Sequence, residues 1–235
     1  MLDFGFYNMD CMVGLKEFPD KFFDLAIVDP PYGDKVGGHG YKSNCMSGGV
    51  AKYHTYHTSV WGMDRPDGSY FQELFRVSKN QIVWGGNYFA DLLPTSQCWI
   101  VWDKKKPEGV HYADAELAWT SFDRATKIFR FAWNGMIQED MKHKEKKIHP
   151  TQKPVKLYEW IIDNFSCEGE TILDTHVGSA SSLIACSNKN HKYLGFEIDP
   201  EYYALARKRL DSETSQYSIF NFINGGVENE RSIIQ

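Results

Sequence analysis

Short apolar runs alternate with amphipathic stretches along most of this chain, and the alternation limits the folds that are open to it. Repetition of strand, helix and strand indicates a mostly parallel sheet with helices on both faces. The stretch from Glu116 to Trp133 has the pattern of two adjacent strands, so we expect an antiparallel piece at one edge of the sheet. The predicted strands are 25–28, 81–84, 98–102, 116–119, 127–131, 171–174 and 192–196, and the predicted helices are 70–77, 157–162, 180–186 and 201–210.

The composition is typical of one domain with a sizeable core. The chain has 235 residues, of which 42% are hydrophobic and 15% aromatic. It contains neither an apolar run of membrane length nor a start that resembles a signal peptide, so we expect a cytoplasmic protein. The five cysteines include no Cys-x-x-Cys pair, which argues against a disulfide framework and a zinc ribbon. A net charge of −5 argues against a protein that coats nucleic acid by charge alone, although it permits a local basic face.

A rigid tetrapeptide, Asp29-Pro30-Pro31-Tyr32, follows directly on the apolar run 24–28. The two prolines fix their own φ and hold the preceding residues extended, so the Asp29 carboxylate and the Pro30 carbonyl are presented with little freedom. Open α/β sheets bind ligands at the carboxyl ends of their strands, where this segment is expected to lie. Two acceptors beside an aromatic face suit a flat heterocycle that bears an NH2 group. The alternative is an ordinary strand-terminating turn, in which Asp and Pro are common.

A second segment has the layout of a nucleoside-binding unit. The run 172–174 ends in a turn of small residues, a helix is predicted to begin near Ala180, and the next predicted strand ends at Glu197. In Rossmann-like units the small turn admits the ligand close to the backbone, and the later carboxylate binds the ribose hydroxyls. The turn has one glycine where a dinucleotide fingerprint has three, so pyrophosphate binding is poorly supported. The alternative is an ordinary βαβ unit with Ser179 as a helix cap.

Four separated segments together resemble one enzyme family. They are Asp29–Tyr32, His149–Pro154, Asp174–Ser181 and Glu197, in that order. The order is similar to that of the β-group of amino-directed DNA methyltransferases, which use S-adenosylmethionine and carry the catalytic half before the cofactor half. The segment Asn8–Cys11 with Phe18–Asp20 also resembles the family's lead-in to its catalytic strand, and the match spans roughly Phe6 to Leu210. The family commonly has Asp-Pro-Phe-x-Gly-Ser-Gly in the third segment, whereas this chain has Thr175, His176 and Ala180 there.

The resemblance implies a Rossmann-like methyltransferase fold with permuted motif order. The implied activity is transfer of a methyl group from S-adenosylmethionine to the N6 amine of a flipped-out adenine in DNA. The alternatives are the N4 amine of cytosine, an amide or amine nitrogen of RNA or protein, and a nucleic-acid-binding module without activity. The implied catalytic residues are Asp29, Pro30, Pro31 and Tyr32, and the implied cofactor-binding residues are Asp10, Cys11, Asp29, Thr151, Lys153, Asp174, Gly178, Ser179 and Glu197.

The resemblance also divides the chain. Residues 1–210 are the expected catalytic domain, with a glycine-rich loop over 33–62 beside the reaction centre and a target-recognition insert over 103–147. Residues 211–235 form a tail with no motif to which we assign a role. His54 and His57 in the loop lack the partners of a recognisable metal site, so no metal is predicted. The predicted DNA-binding residues are Lys104, Lys105, Lys106, Lys142, Lys144, Lys146 and Lys147.

The expected partner is double-stranded DNA, with a homodimer left open and no membrane association. Each lysine run is equally consistent with a solvated loop. The resemblance implies a protein of the prokaryotic cytoplasm, encoded by the cell or by a phage. It also implies a role in restriction and modification.

Overall fold

An eight-stranded sheet forms the centre of the molecule. The computed structural model describes residues 1–33, 64–108, 113–134 and 137–231. Its strands are β1 (Gly5–Asn8), β2 (Phe23–Val28), β3 (Ser78–Trp84), β4 (Trp99–Asp103), β5 (Ala115–Thr120), β6 (Lys127–Arg130), β7 (Trp133–Asn134), β8 (Ile137–Gln138), β9 (Thr171–Asp174) and β10 (Lys192–Glu197). Its helices are α1 (Cys11–Leu15), α2 (Gly68–Val77), α3 (Val155–Phe165), α4 (Ser181–Asn188) and α5 (Pro200–Arg231), with a short 3-10 turn at Gly86–Tyr88.

The main sheet is parallel except for one strand. The order across it is β1, β10, β9, β2, β3, β5, β4 and β6, and β5 runs antiparallel to both of its neighbours. Strands β7 and β8 form a separate antiparallel pair. The parallel arrangement brings the carboxyl ends of β2, β9 and β10 to one edge of the sheet, and the amino end of β5 lies at the same edge.

The alternation of β2 side chains divides the core into two layers. Ala26 and Val28 pack with α1 and α2 on one face, and Leu25 and Ile27 pack with α3 and α4 on the other. All four side chains are almost completely buried. Because β2 is apolar on both faces, it is held firmly in the middle of the sheet, and the residue that follows Val28 is placed by the core.

Three helices begin with an aspartate that caps free backbone N–H groups. Asp10 accepts from the N–H of Met12 at 2.8 Å, and Asp67 accepts from the N–H of Ser69 at 2.8 Å. Asp199 caps α5 by accepting from two N–H groups in its first turn, at 2.8 and 3.0 Å. Short polar caps of this kind are worth about 1 kcal/mol each. None of the helices in the described ranges combines the length and the apolarity that crossing a bilayer requires.

The predicted fold class is confirmed, and the structure adds several details that the sequence did not predict. The antiparallel strand β5 lies third from the edge, between β3 and β4, and it does not pair with β6, which runs parallel to β4. Segment 103–147 therefore supplies two strands of the main sheet, and only the β7–β8 pair lies outside that sheet. The tail after Leu210 continues α5 without a break to Arg231. Strand β1 was not predicted because Gly5–Asn8 is not an apolar run, and helix α1 because its five residues are too few to show a period.

Candidate active site

Asp29 lies immediately beyond the carboxyl end of β2, between the ends of β3 and β9. One carboxylate oxygen, Oδ1, accepts a hydrogen bond of 2.6 Å from the hydroxyl of Tyr32. The other, Oδ2, accepts from the ammonium of Lys153. The Asp29 side chain is 19% exposed, so it is oriented by two donors and still reachable from outside. The prolines thus present a carboxylate whose direction is fixed before any ligand binds.

Tyr32 is held in place by aromatic rings and by a glycine. Its ring stacks on Tyr88, with centroids 4.8 Å apart and planes at 29°, and meets Phe89 edge-on at 6.0 Å. Gly85 has a left-handed φ of 66°, and a Cβ placed there would lie only 2.2 Å from the Tyr32 ring. Burial raises the pKa of Tyr32 above its usual range, so the phenol stays neutral and remains a hydrogen-bond donor.

Glu116 is a residue of this site that the sequence analysis missed. It lies near the amino end of β5, opposite Trp102 on β4, and it forms ion pairs with Lys104 through Oε1 and with Lys153 through Oε2, the latter at 3.3 Å. Burial alone would raise the pKa of Glu116, but the charges of Lys153 and Lys104 outweigh burial and lower it. The sequence offered one indication of this role: Glu116 is an acidic residue at the start of a strand that was predicted to be antiparallel.

Lys153 joins Glu116 to Asp29. Its side chain is only 5% exposed, and its ammonium lies 5.3 Å from the centroid of the Trp84 ring. Burial alone would lower the pKa of Lys153, but the charges of Asp29 and Glu116 outweigh burial and raise it above its usual range. Lys153 is therefore a buried, paired lysine and not an exposed one. Lys153, which we predicted to bind the cofactor, thus contacts the predicted catalytic carboxylate of Asp29.

The turn after β9 forms the second half of the site. Asp174 accepts from the N–H of His176 at 2.9 Å and from the hydroxyl of Ser182, and burial raises its pKa to about 7. Gly178 donates its N–H to Glu197 Oε2 at 2.8 Å. Glu197 Oε1 accepts from the N–H of Asp199 at 2.9 Å, and burial raises the pKa of Glu197. Glu197, at the end of β10, thus forms a hydrogen bond with the turn after β9. Strands β9 and β10 are neighbours in the sheet.

Of the residues that depart from the family pattern, Thr175 and Ala180 are buried and His176 is half-buried. The hydroxyl of Thr175 lies 2.9 Å from Nδ1 of His176 and 2.6 Å from the hydroxyl of Tyr70. Burial lowers the pKa of His176 to about 4, so its ring is neutral at neutral pH. Ala180 adopts a left-handed φ of 63°, at the position where the family commonly has glycine.

The other predicted cofactor residues lie around this turn with interactions of their own. Asp10 caps α1, and burial raises the pKa of Cys11 to about 12, which makes it an inert thiol. The carbonyl of Ser179 accepts from Arg209 at 2.7 Å, which ties α5 to the turn. Thr151 contacts Nδ1 of His149 at 3.0 Å, and burial lowers the pKa of His149 to about 4. These interactions stabilise the local structure. They are compatible with a bound ligand but do not depend on one.

The lysines predicted to contact DNA fall into two groups. Lys142, Lys144 and Lys146 are exposed, whereas Lys147 is partly buried, with its ammonium 4.7 Å from the ring of Trp133. Lysines 104–106 each have an acidic partner, so a phosphate would compete with a carboxylate for them. The pairs are Lys104 with Glu116, Lys105 with Glu139 at 2.6 Å, and Lys106 with Asp114 at 2.6 Å.

The predicted loop 33–62 lies almost wholly outside the described residues, and the groove in the described structure lies away from Asp29. Of the loop 33–62, only Gly33 belongs to the described residues, so the expected closure over the site and the pair His54 and His57 fall outside them. Within the described ranges, no three His, Cys, Asp or Glu side chains are grouped as a metal would require. A groove of about 390 Å³ that includes Gln81 and Thr120 opens at the amino ends of the parallel strands, away from Asp29.

Comparisons with known proteins agree on one family. The family described as DNA methylase matches residues 64–208. The type II methyltransferase M.HpaI of Haemophilus parainfluenzae is 45% identical over 71 residues, 30% of this chain and 23% of that protein. M2.DpnII of Streptococcus pneumoniae is 33% identical over 152 residues, 60% of this chain and 54% of that protein. The chain thus spans about half or less of the length of these curated relatives.

Two solved structures share the fold. The PvuII DNA methyltransferase, described as cytosine-N4-specific, superposes with a TM-score of 0.56 at 15% identity, covering 94% of this chain and 93% of that one. The complex of M1.HpyAVI with SAM superposes with a TM-score of 0.52 at 20% identity, covering 87% of this chain and 98% of that one. At these identities the likeness concerns the fold.

Proposed function

Since this chain belongs to the DNA methylase family, as the match over residues 64–208 shows, we propose that it transfers a methyl group from S-adenosylmethionine to an exocyclic amine of a DNA base. One observation carries the proposal. The Asp29 carboxylate, oriented by Tyr32 and Lys153, lies at the sheet edge where the turn after β9 meets Glu197. An acceptor for an amine thus shares an edge with a turn that suits a nucleoside.

The turn after β9 has the chemistry that a nucleoside requires. Each carboxylate oxygen of Glu197 accepts from a backbone N–H and, having two lone pairs or more to offer, can also accept from a ribose hydroxyl. Gly178 and Ser179 bring backbone close to the ligand, and Asp174 fixes the start of the turn. We assign Thr151 to the methionine carboxylate, and Asp10 with Cys11 to the neighbourhood of the adenine. Lys153 is assigned to Asp29, because its ammonium already bonds that carboxylate.

The chain's contribution to transfer is to orient the amine. An exocyclic amine is a poor nucleophile, because its lone pair is delocalised into the ring. Hydrogen bonds from its two N–H groups to Asp29 and to the carbonyl of Pro30 favour a more pyramidal nitrogen. When bound, S-adenosylmethionine would supply an electrophilic methyl group on sulfur; the nitrogen–carbon bond would form as the sulfur–carbon bond breaks, and the methylated nitrogen would release one proton to water. Orientation of this kind can lower a barrier by about 7–11 kcal/mol.

We infer that the target is the N6 amine of adenine in double-stranded DNA. The base must leave the duplex to reach Asp29, and Tyr32, supported by its stacking partner Tyr88, offers it an aromatic contact. Asp in the first motif position is typical of adenine-directed members of the family that the sequence resembles. The larger ring system of adenine also stacks more strongly. Cytosine N4 is the second candidate, because the PvuII enzyme that shares the fold is described as specific for it.

The proposal is tested by incubating the protein with DNA and labelled S-adenosylmethionine, followed by digestion to nucleosides and mass spectrometry. N6-methyladenine is the expected product. N4-methylcytosine would reverse the choice of base and leave the methyl transfer standing. An RNA substrate and a protein substrate are run in parallel, because label in either of them and none in DNA would refute the assignment to DNA.

A further inference from the structure

Glu116 binds two ammonium groups that come from different parts of the chain. Lys104 directly follows β4, the strand that pairs with β5. Lys153 precedes α3 and forms a hydrogen bond with Asp29. The four side chains alternate in sign in the order Lys104, Glu116, Lys153 and Asp29. In this row Lys153 lies between Glu116 and the proposed catalytic carboxylate of Asp29, and it links the two.

The shared lysine has two consequences for Asp29. An ammonium that is bonded to Asp29 alone would neutralise the carboxylate and weaken it as an acceptor, strongly so in a site that is shielded from water. Because Glu116 Oε2 lies 3.3 Å from Lys153 Nζ, the ammonium interacts with two carboxylates and neutralises Asp29 less completely. It also restricts where the ammonium of a long, flexible side chain can lie, and hence where Asp29 Oδ2 is held.

Packing alone does not explain a carboxylate at this position. Glu116 is about one-third exposed, at the half-buried amino end of a strand whose last three residues, Ala118 to Thr120, are buried. Buried and half-buried ion pairs are often no more stabilising than apolar side chains of the same volume. Lys104 also has an aromatic contact, with its ammonium 5.0 Å from the Trp102 ring. The charge on Glu116 therefore balances the ammonium groups of Lys104 and Lys153, and through Lys153 it reaches the reaction centre.

We propose that Glu116 is a positioning residue for methyl transfer: it shares Lys153 with Asp29, so that Asp29 keeps its orientation and an open lone pair for the target amine. The proposal rests on the proposed function, since it concerns the same transfer step. In this proposal Glu116 acts through Lys153. This dependence on Lys153 is what an experiment can isolate.

The test is a double-mutant cycle with Glu116→Gln and Lys153→Met, in which kcat and both KM values are measured for the parent, each single variant and the double variant. Gln keeps the size of Glu and removes its charge. We expect Glu116→Gln to lower kcat by about 10-fold, as for groups that are coupled in one network, with each KM within about 2-fold of the parent. Lys153→Met should lower kcat by about 10²-fold, the scale of a 1 Å displacement at a reacting centre.

The double variant decides the question. If Glu116 acts through Lys153, the double variant is no slower than Lys153→Met. Effects that multiply would overturn the proposal, as would a loss confined to the KM for DNA. A parent protein without methyl transfer would instead refute the proposed function itself, so the two failures are distinguishable. If Lys153→Met does not fold, Lys153→Gln takes its place in the cycle.

Glu139→Gln is the matched control. Glu139 pairs with Lys105 at 2.6 Å on the same segment, but neither residue contacts Lys153 or Asp29. Its kcat should equal that of the parent. An equal loss in Glu116→Gln and Glu139→Gln would show that any missing charge in this segment slows the reaction, and it would overturn the role given to Glu116.

Discussion

The backbone N–H of Gly178 donates a hydrogen bond of 2.8 Å to the carboxylate of Glu197. This bond joins the end of β10 to the turn after β9, and Asp199 provides a second backbone donor at 2.9 Å. The carboxylate is therefore oriented by the main chain of the folded protein. A ligand that binds here meets an acceptor that is already in place, which reduces the ordering that binding requires.

Replacement of Glu197 by Ala should weaken the binding of S-adenosylmethionine. Hydrogen bonds to a charged group contribute about 1.5–3 kcal/mol each, and the proposed ribose contacts would be lost. Isothermal calorimetry measures the change, and DNA affinity should fall much less. Glu168→Ala, at an exposed position before β9, is the control. Unchanged affinity for S-adenosylmethionine in Glu197→Ala would refute the ribose assignment.

Replacement of Gly85 by Ala should displace Tyr32 and slow the reaction. The new Cβ would lie 2.2 Å from the Tyr32 ring, so the ring or the backbone must move. Gly169 is a matched control, because it also has a positive φ, 82°, but a Cβ there meets nothing within 4 Å. Both variants carry backbone strain of about 1 kcal/mol. This shared strain should lower both melting temperatures, and the clash with Tyr32 should add a further fall and a loss of turnover only in Gly85→Ala. Equal turnover in the two variants would contradict the role of Tyr32.

The sequence pattern located elements well and their partners less well. Strand β9 was predicted to the residue, because it is a short apolar run bounded by polar residues. The position of β5 inside the sheet was not predictable from alternation, since a period identifies a strand without naming its neighbours. The helix beyond Leu210 has no apolar stripe to reveal it. Its backbone continues a helix whose first turns pack on the core through Ala206 and Leu210.

The candidate site was predictable where it follows the rule for parallel strands. Asp29 and Glu197 lie at carboxyl ends, where such a sheet collects its ligands. Glu116 reaches the same edge from the amino end of an antiparallel strand, so a search of carboxyl ends passes over it. Ion pairs such as Lys106 with Asp114 depend on the fold of a connection, and composition alone showed only a lysine run.

Replacement of Asp29 by Ala should lower turnover by about 10²–10³, the scale of losing one preorganised contact to the reacting group. The variant also leaves Lys153 with Glu116 as its remaining acidic partner among the described contacts, so the melting temperature must be compared with that of the parent. Asp163→Ala, an exposed position on α3, is the control. The assay uses labelled S-adenosylmethionine at saturation. Turnover within a few-fold of the parent would remove Asp29 from the mechanism.

Asp174 makes stability depend on pH in a direction opposite to that of the nearby histidines. Burial raises the pKa of Asp174 from 3.8 to about 7, so the stability that its protonated form provides is present below about pH 4 and is lost as the pH rises through about 7. Burial lowers the pKa of His149 and of His176 from 6.5 to about 4, so their contribution is present above about pH 6.5 and is lost as the pH falls through about 4.

Replacement of Asp174 by Asn should therefore stabilise the protein at alkaline pH. The free energy of unfolding of the variant, minus that of the parent, should rise by at most about 3 kcal/mol between pH 5 and pH 8, since one pKa unit corresponds to about 1.4 kcal/mol. The histidines are present in both proteins, so their effect cancels in this difference. Urea unfolding at the two pH values measures it. The gain should come with weaker binding of S-adenosylmethionine, because Asp174 fixes the turn that holds Gly178. A difference that is the same at pH 5 and pH 8 would show that Asp174 does not titrate in this range.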